Sequence, residues 1–110
     1  MSEYRQGYVY VQKRYAGIIS ETETGYSFQY DAGYLESEKA LPVSLTMPLQ
    51  QEPYVSGTLF PFFDGLIPEG WTLDVVCRSW KISHNDRFAV LLAACRDSIG
   101  DVQIMTEVQR

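Results

Sequence analysis

The chain changes its hydrophobic period near the middle. Its first third carries three short apolar runs, GYVYVQK (7–13), YAGIISE (15–21) and YSFQYD (26–31). The third run alternates: Tyr26, Phe28 and Tyr30 fall on one side, Ser27 and Gln29 on the other, which is the period of a half-buried strand. The first two are rich in β-branched and aromatic residues and are broken only at Arg14, so the pattern predicts a hairpin. Thr24-Gly25 marks a second turn. AGYLES (32–37) suits one helical turn. PVSLTMPL (42–49) reads as an extended segment bounded by prolines, hence a short or edge strand, because proline donates no ladder hydrogen bond.

From residue 68 the period becomes helical. No breaker follows Gly70 until about residue 81, and Pro68 and Glu69 suit a first helical turn. At about 100° per residue, Leu73, Val76, Cys77 and Trp80 share one face, and Trp71, Val75 and Ile82 fall nearly opposite with Arg78 beside them. The wheel therefore assigns Trp80 to the core, where truncation to alanine would cost roughly 3–5 kcal/mol. A second helix, DRFAVLLAACR (86–96), has Ser83, Asn85 or Asp86 as candidate N-caps. Phe88, Leu91, Leu92 and Cys95 form one face, and Ala89, Val90, Ala93 and Ala94 fill most of the rest. A helix apolar all round is covered on both sides, here by the sheet or by a partner protein. Residues 97–100 form a turn, and DVQIMTEV (101–108) returns as a last strand. The sum is one α+β domain over residues 1–110: a small antiparallel sheet of N-terminal hairpin strands and a C-terminal returning strand, packed with two to three helices.

Composition narrows the function. With 110 residues, 45% of them hydrophobic, the chain can bury a core without metals or disulfides. A net charge of −5 with no basic patch argues against direct contact with nucleic acid or an anionic membrane surface. Cys77 and Cys95 sit in apolar helical patterns, and no apolar run approaches 18 residues, which points to a cytoplasmic protein with reduced, buried thiols.

Candidate chemistry is sparse. His84 is the single histidine and stands in the polar loop SHND; there is no nucleophile-elbow motif, no Cys-x-x-Cys pair, no GxGxxG and no P-loop. Asp64, Glu69 and Asp74 read as turn and helix-start carboxylates. The residues predict no catalytic centre, no cofactor and no metal: a binding module or subunit, not an enzyme.

One stretch stands apart. PFFDGLIPEGW (61–71) joins five large apolar side chains to two prolines, two glycines and two charges. Either Trp71 folds back on Phe62, Phe63 or Ile67, or it projects outward with Val75 as an interface anchor, a role for which tryptophan is enriched.

The succession YSFQYD–GYL, LPVSLTMPL, PFFDGLIPEGW and DRFAVLLAACRDSIGDVQI resembles the N-terminal subdomain of HipA-family serine/threonine kinases from about Tyr8 to Met105. PFFDGLIPEGW and the closing Arg96-Asp97-x-x-Gly100 are its most specific parts; the chain departs from the family pattern at Gly65, Cys95 and Asp101. The resemblance implies a domain that precedes a kinase core, whose ATP-binding lysine, catalytic aspartate and metal ligands are absent from these residues. It further implies the split, tripartite toxin–antitoxin members, in which a small HipS-like antitoxin partners a shortened (HipT-type) HipA-like kinase, in a ternary complex with a helix-turn-helix HipB-like protein. On that basis Trp71, with Phe63, Asp64, Glu69, Val75 and Arg78, is expected to dock on the kinase near its nucleotide site. The alternative is a stabilising or activating subunit of the same kinase.

Overall fold

The computed structural model describes residues 5–67, 70–83, 85–94 and 102–105, with the side chains of residues 70–72 and 94 excepted. Strands β1 (Gln6–Val11), β2 (Arg14–Thr22) and β3 (Gly25–Tyr30) form consecutive hairpins. Helix α1 (Ala32–Leu35) is one turn, capped by the Asp31 carboxylate accepting from the Tyr34 amide at 3.1 Å. Strand β4 (Tyr54–Ser56), the single-turn helix α2 (Pro61–Asp64), helices α3 (Gly70–Trp80) and α4 (Arg87–Ala94), and strand β5 (Val102–Met105) follow. The strands make one antiparallel five-stranded sheet in the order β4-β3-β2-β1-β5. The α+β architecture and the returning strand agree with the sequence, and four helices stand where two to three were expected.

Register explains the core. Val9 pairs with both Gly17 and Ile104, Ile19 with Phe28, and Val11 with Val102. Directly paired residues share a face, so these side chains form one apolar surface. Phe63 of α2 meets Phe28 at 5.5 Å between ring centroids, and Phe88 of α4 meets Tyr26 at 5.6 Å. Phe88, Val90 and Leu91 are fully buried. The all-round apolar α4 is thus covered within its own chain, packed against α2, α3 and β5.

Three local expectations are corrected. The first hairpin turns at Gln12-Lys13, not at Arg14: both carry positive φ, 50° and 69°, the geometry of a two-residue hairpin tip that usually selects asparagine or glycine. Residues 42–49 are not a strand. They form a loop closed by a Ser44–Met47 bridge, with Val43 and Met47 buried. Trp80 does not join the core; it is 51% exposed. Lys81 adopts a left-handed φ of 56°, and the Ile82 amide donates back to the Cys77 carbonyl at 2.9 Å. This is the hydrogen bond of a Schellman stop. It ends α3 at Trp80 and folds Ile82 onto the core in its place. Leu73, Val76 and Cys77 do face the core, as the wheel predicts. Cys77 is a buried free thiol; Cys95 and His84 lie outside the described residues.

One charged cluster ties the chain's beginning to α4. Arg5 donates to Glu21 Oε1 and Oε2 at 2.8 Å each, and to Asp86 Oδ1 and Oδ2 at 2.8 and 2.9 Å, and it lies over the Phe88 ring. Asp86 also caps α4, accepting from the Ala89 amide at 3.3 Å. These hydrogen bonds from Arg5 hold both carboxylates below the usual range. A depressed folded-state pKa gives stability that is present above the unfolded value and is lost as pH falls through the folded one. Replacing Arg5 by Met is therefore expected to cost about 1–2 kcal/mol at pH 7, discounted for partial exposure. The difference from wild type should shrink as pH drops below about 4. Urea denaturation of both proteins between pH 7 and pH 3 measures this; a gap that stays constant across the series refutes it.

Candidate partner-binding surface

PFFDGLIPEGW begins as a structural corner. Pro61 occupies the first turn of α2, where its missing amide hydrogen costs nothing. The Leu66 and Ile67 amides then donate to the Phe63 and Asp64 carbonyls at 3.0 and 3.1 Å, rolling the chain up after Gly65. Phe60, Phe63 and Ile67 are buried, and Phe62 and Leu66 are half-buried against them. Phe63 touches Phe28, Phe60 and Phe62 and is fully buried. Expected at the surface, it instead supports the surface from beneath, because the single turn of α2 aims it at the sheet.

Asp64 lies on the rim of this corner. Its Oδ1 accepts from Arg87 Nε at 3.0 Å and Nη2 at 2.7 Å, a pair that locks α2 to the start of α4. Both side chains remain partly exposed. With Tyr26, Gly57, Thr58 and Leu59 they line a cleft of about 450 Å³. Arg87 is the partner of a candidate site residue that sequence reasoning missed, since nothing local links positions 64 and 87.

On α3, Val75 is 42% exposed and Arg78 is exposed, as the wheel places them. Trp71 belongs to the first turn of the same helix, and residues 71, 75 and 78 follow the i, i+4, i+7 spacing of one face. The direction of the Trp71 side chain, and Pro68 and Glu69 altogether, lie outside the described residues. So do Arg96, Asp97 and Gly100. Among the described residues no group of three or more His, Cys, Asp or Glu is placed to hold a metal ion, and no helix is long and apolar enough to cross a membrane.

A family model described as the HipA N-terminal domain matches residues 7–105. The chain belongs to the HipA N-terminal domain family. A solved structure of the N-terminal domain of HipA toxin is similar over 100% of this chain and 99% of its own, with a TM-score of 0.71 and 27% identity. A protein of Haemophilus influenzae is 35% identical over 105 residues, which is 96% of this chain and 95% of that protein. A protein of Sinorhizobium fredii named "Putative kinase Y4mE" is 33% identical over 82 residues, 74% of this chain but 20% of that protein. The HipA-family match covers the N-terminal domain alone, and the kinase-named relative carries about four-fifths of its length beyond the matched part.

Proposed function

We propose that this HipA N-terminal domain is an antitoxin: it binds and inhibits a shortened HipA-like serine/threonine kinase, docking where that kinase's own N-terminal subdomain would sit. One observation carries the reading. The same domain recurs at two scales, as about a fifth of a kinase-named relative and as nearly the whole of the Haemophilus relative. A domain that is part of a kinase in one relative and nearly all of another is suited to refill a vacated docking surface.

The contact is assigned to the start and outer face of α3. Trp71, Glu69, Val75 and Arg78 meet the kinase near its nucleotide site, Asp64 adds a contact from α2, and Phe63 holds the corner from within the core. Inhibition requires only that the domain bind the inactive kinase more tightly than the active one. A helix-turn-helix HipB-like protein completes a ternary complex, and DNA contact comes through that subunit.

Growth of cells expressing a shortened HipA-like kinase tests the reading. Co-expression of the wild-type domain is expected to restore growth, and a folded Trp71→Ala form is expected not to. Rescue by both forms keeps the antitoxin and removes Trp71 from its mechanism. Slower growth on co-expression reverses the reading in favour of an activating subunit, and no effect removes both.

A further inference from the structure

The loop at residues 41–49 is built unlike an ordinary connection. Three tyrosine hydroxyls grip its backbone. Tyr34 accepts from the Leu41 amide at 2.9 Å and donates to the Leu41 carbonyl at 2.7 Å. Tyr30 accepts from the Val43 amide at 2.9 Å and donates to the Met47 carbonyl. Tyr54 donates to the Pro48 carbonyl. Burial pushes the Tyr30 hydroxyl up to about 12, so it keeps the proton it donates. Val43 and Met47 turn inward as apolar plugs. What the grip holds outward is leucine: Leu41, Leu45 and Leu49 are 45%, 96% and 36% exposed. Leu45 sits at the tip, inside a turn closed by the Met47 amide donating to the Ser44 carbonyl at 3.1 Å.

A leucine this exposed contributes nothing to the fold, yet its backbone is fixed by α1, β3 and β4 together. Fixing a contact before binding removes the ordering cost that a mobile loop would incur. The surroundings decide the occupant. Glu36 and Glu38 precede the loop, Glu52 follows it, and all three are exposed. Lys39 is also exposed, but Arg14 is turned inward to Ser37, the Lys39 carbonyl and the Tyr34 ring. Two copies of a chain with net charge −5 would bring these acidic rims together, which disfavours self-association.

We propose that the 41–49 loop is a second docking element, which inserts Leu45 into an apolar pocket bordered by basic side chains on the partner kinase. This rests on the antitoxin reading and adds a contact to it that does not involve the 61–71 corner or α3. Calorimetric titration of the kinase with wild-type protein, Leu45→Asn and Leu45→Met tests it. Leu45→Asn should melt with the wild type and lose affinity by about 30-fold, the worth of one buried leucine, whereas Leu45→Met should stay within about threefold. Leu45→Asn binding within about threefold of wild type overturns the loop and leaves the antitoxin reading intact. A wild-type dimer that Leu45→Asn dissolves, with kinase affinity unchanged, assigns the loop to a second copy and also overturns it. Failure of the wild type to bind the kinase at all removes both.

Discussion

Phe63→Ala is expected to lose about 3–5 kcal/mol of folding stability. Phe63 is fully buried, with Phe28, Phe60 and Phe62 at ring-centroid distances of 5.5, 6.2 and 5.1 Å. It joins the sheet to the chain segment that runs into α3. Neighbouring rings cannot collapse into the space, because β3 holds Phe28 and the proline-started turn of α2 holds Phe60 and Phe62. For a domain whose total stability is on the order of 5–15 kcal/mol, such a loss leaves a large unfolded fraction at 37 °C. Guanidinium denaturation measures it, and a loss below about 1 kcal/mol would show that Phe63 does not carry the corner.

The result bears on function, because Phe63 and Trp71 lie in one short motif. Both alanine forms are expected to fail in the growth assay, for opposite reasons: Phe63→Ala because the domain unfolds, Trp71→Ala because a folded domain has lost its contact. Circular dichroism separates them. That pair of outcomes would make the motif half core and half contact, with α2 supplying the first half and the start of α3 the second.

How much of this was legible follows from where each signal is stored. Hydrophobic period is local, so the first three strands, the inner face of α3 and the apolar α4 can be read directly. Hydrogen bonds from distant elements are not. The 42–49 segment alternates like a strand, but the hydroxyls of Tyr30 and Tyr54 take up its backbone groups, Tyr34 holds Leu41 just before it, and a loop results. Strand β4 is three residues long and exists through pairing with β3, a partner more than twenty residues away. The hairpin tip gave no glycine or asparagine to mark it. Trp80 was misplaced because the wheel does not report where the helix ends: Trp80 is the last residue of α3, Lys81 turns left-handed directly after it, and with half its surface in water Trp80 loses the reason for a core-sized penalty. At the candidate site, Val75 and Arg78 were readable from helical spacing. The Asp64–Arg87 pair and the Arg5–Asp86 tie span 23 and 81 positions, and no local pattern reports them.

The second large effect is expected at Gly25. This residue closes the β2–β3 hairpin opposite Thr22, with φ of 156°, and the end of β4 crosses tightly over it. A Cβ placed there would lie 2.1 Å from the Ser56 carbonyl oxygen and 2.6 Å from the Gly57 Cα. Both are backbone atoms, so no side-chain rotation relieves the clash. Either the hairpin tip must change its dihedrals or the Ser56–Gly57 segment must lift, and β4 is the weaker of the two. It is an edge strand whose pairing with β3 ends at Tyr26–Ser56, next to the clash. Lifting β4 also withdraws Tyr54 from the Pro48 carbonyl, so strain at one hairpin loosens the leucine loop at the other end of β3. Gly25→Ala is therefore expected to cost about 2–3 kcal/mol and to lower Tm by roughly 10 °C. Hydrogen exchange should quicken at the β4 amides first, because the cheapest response is local opening and not global unfolding. An unchanged Tm would mean that the β4 backbone yields without cost, and equal acceleration over all five strands would mean that β4 does not open separately from the rest of the sheet.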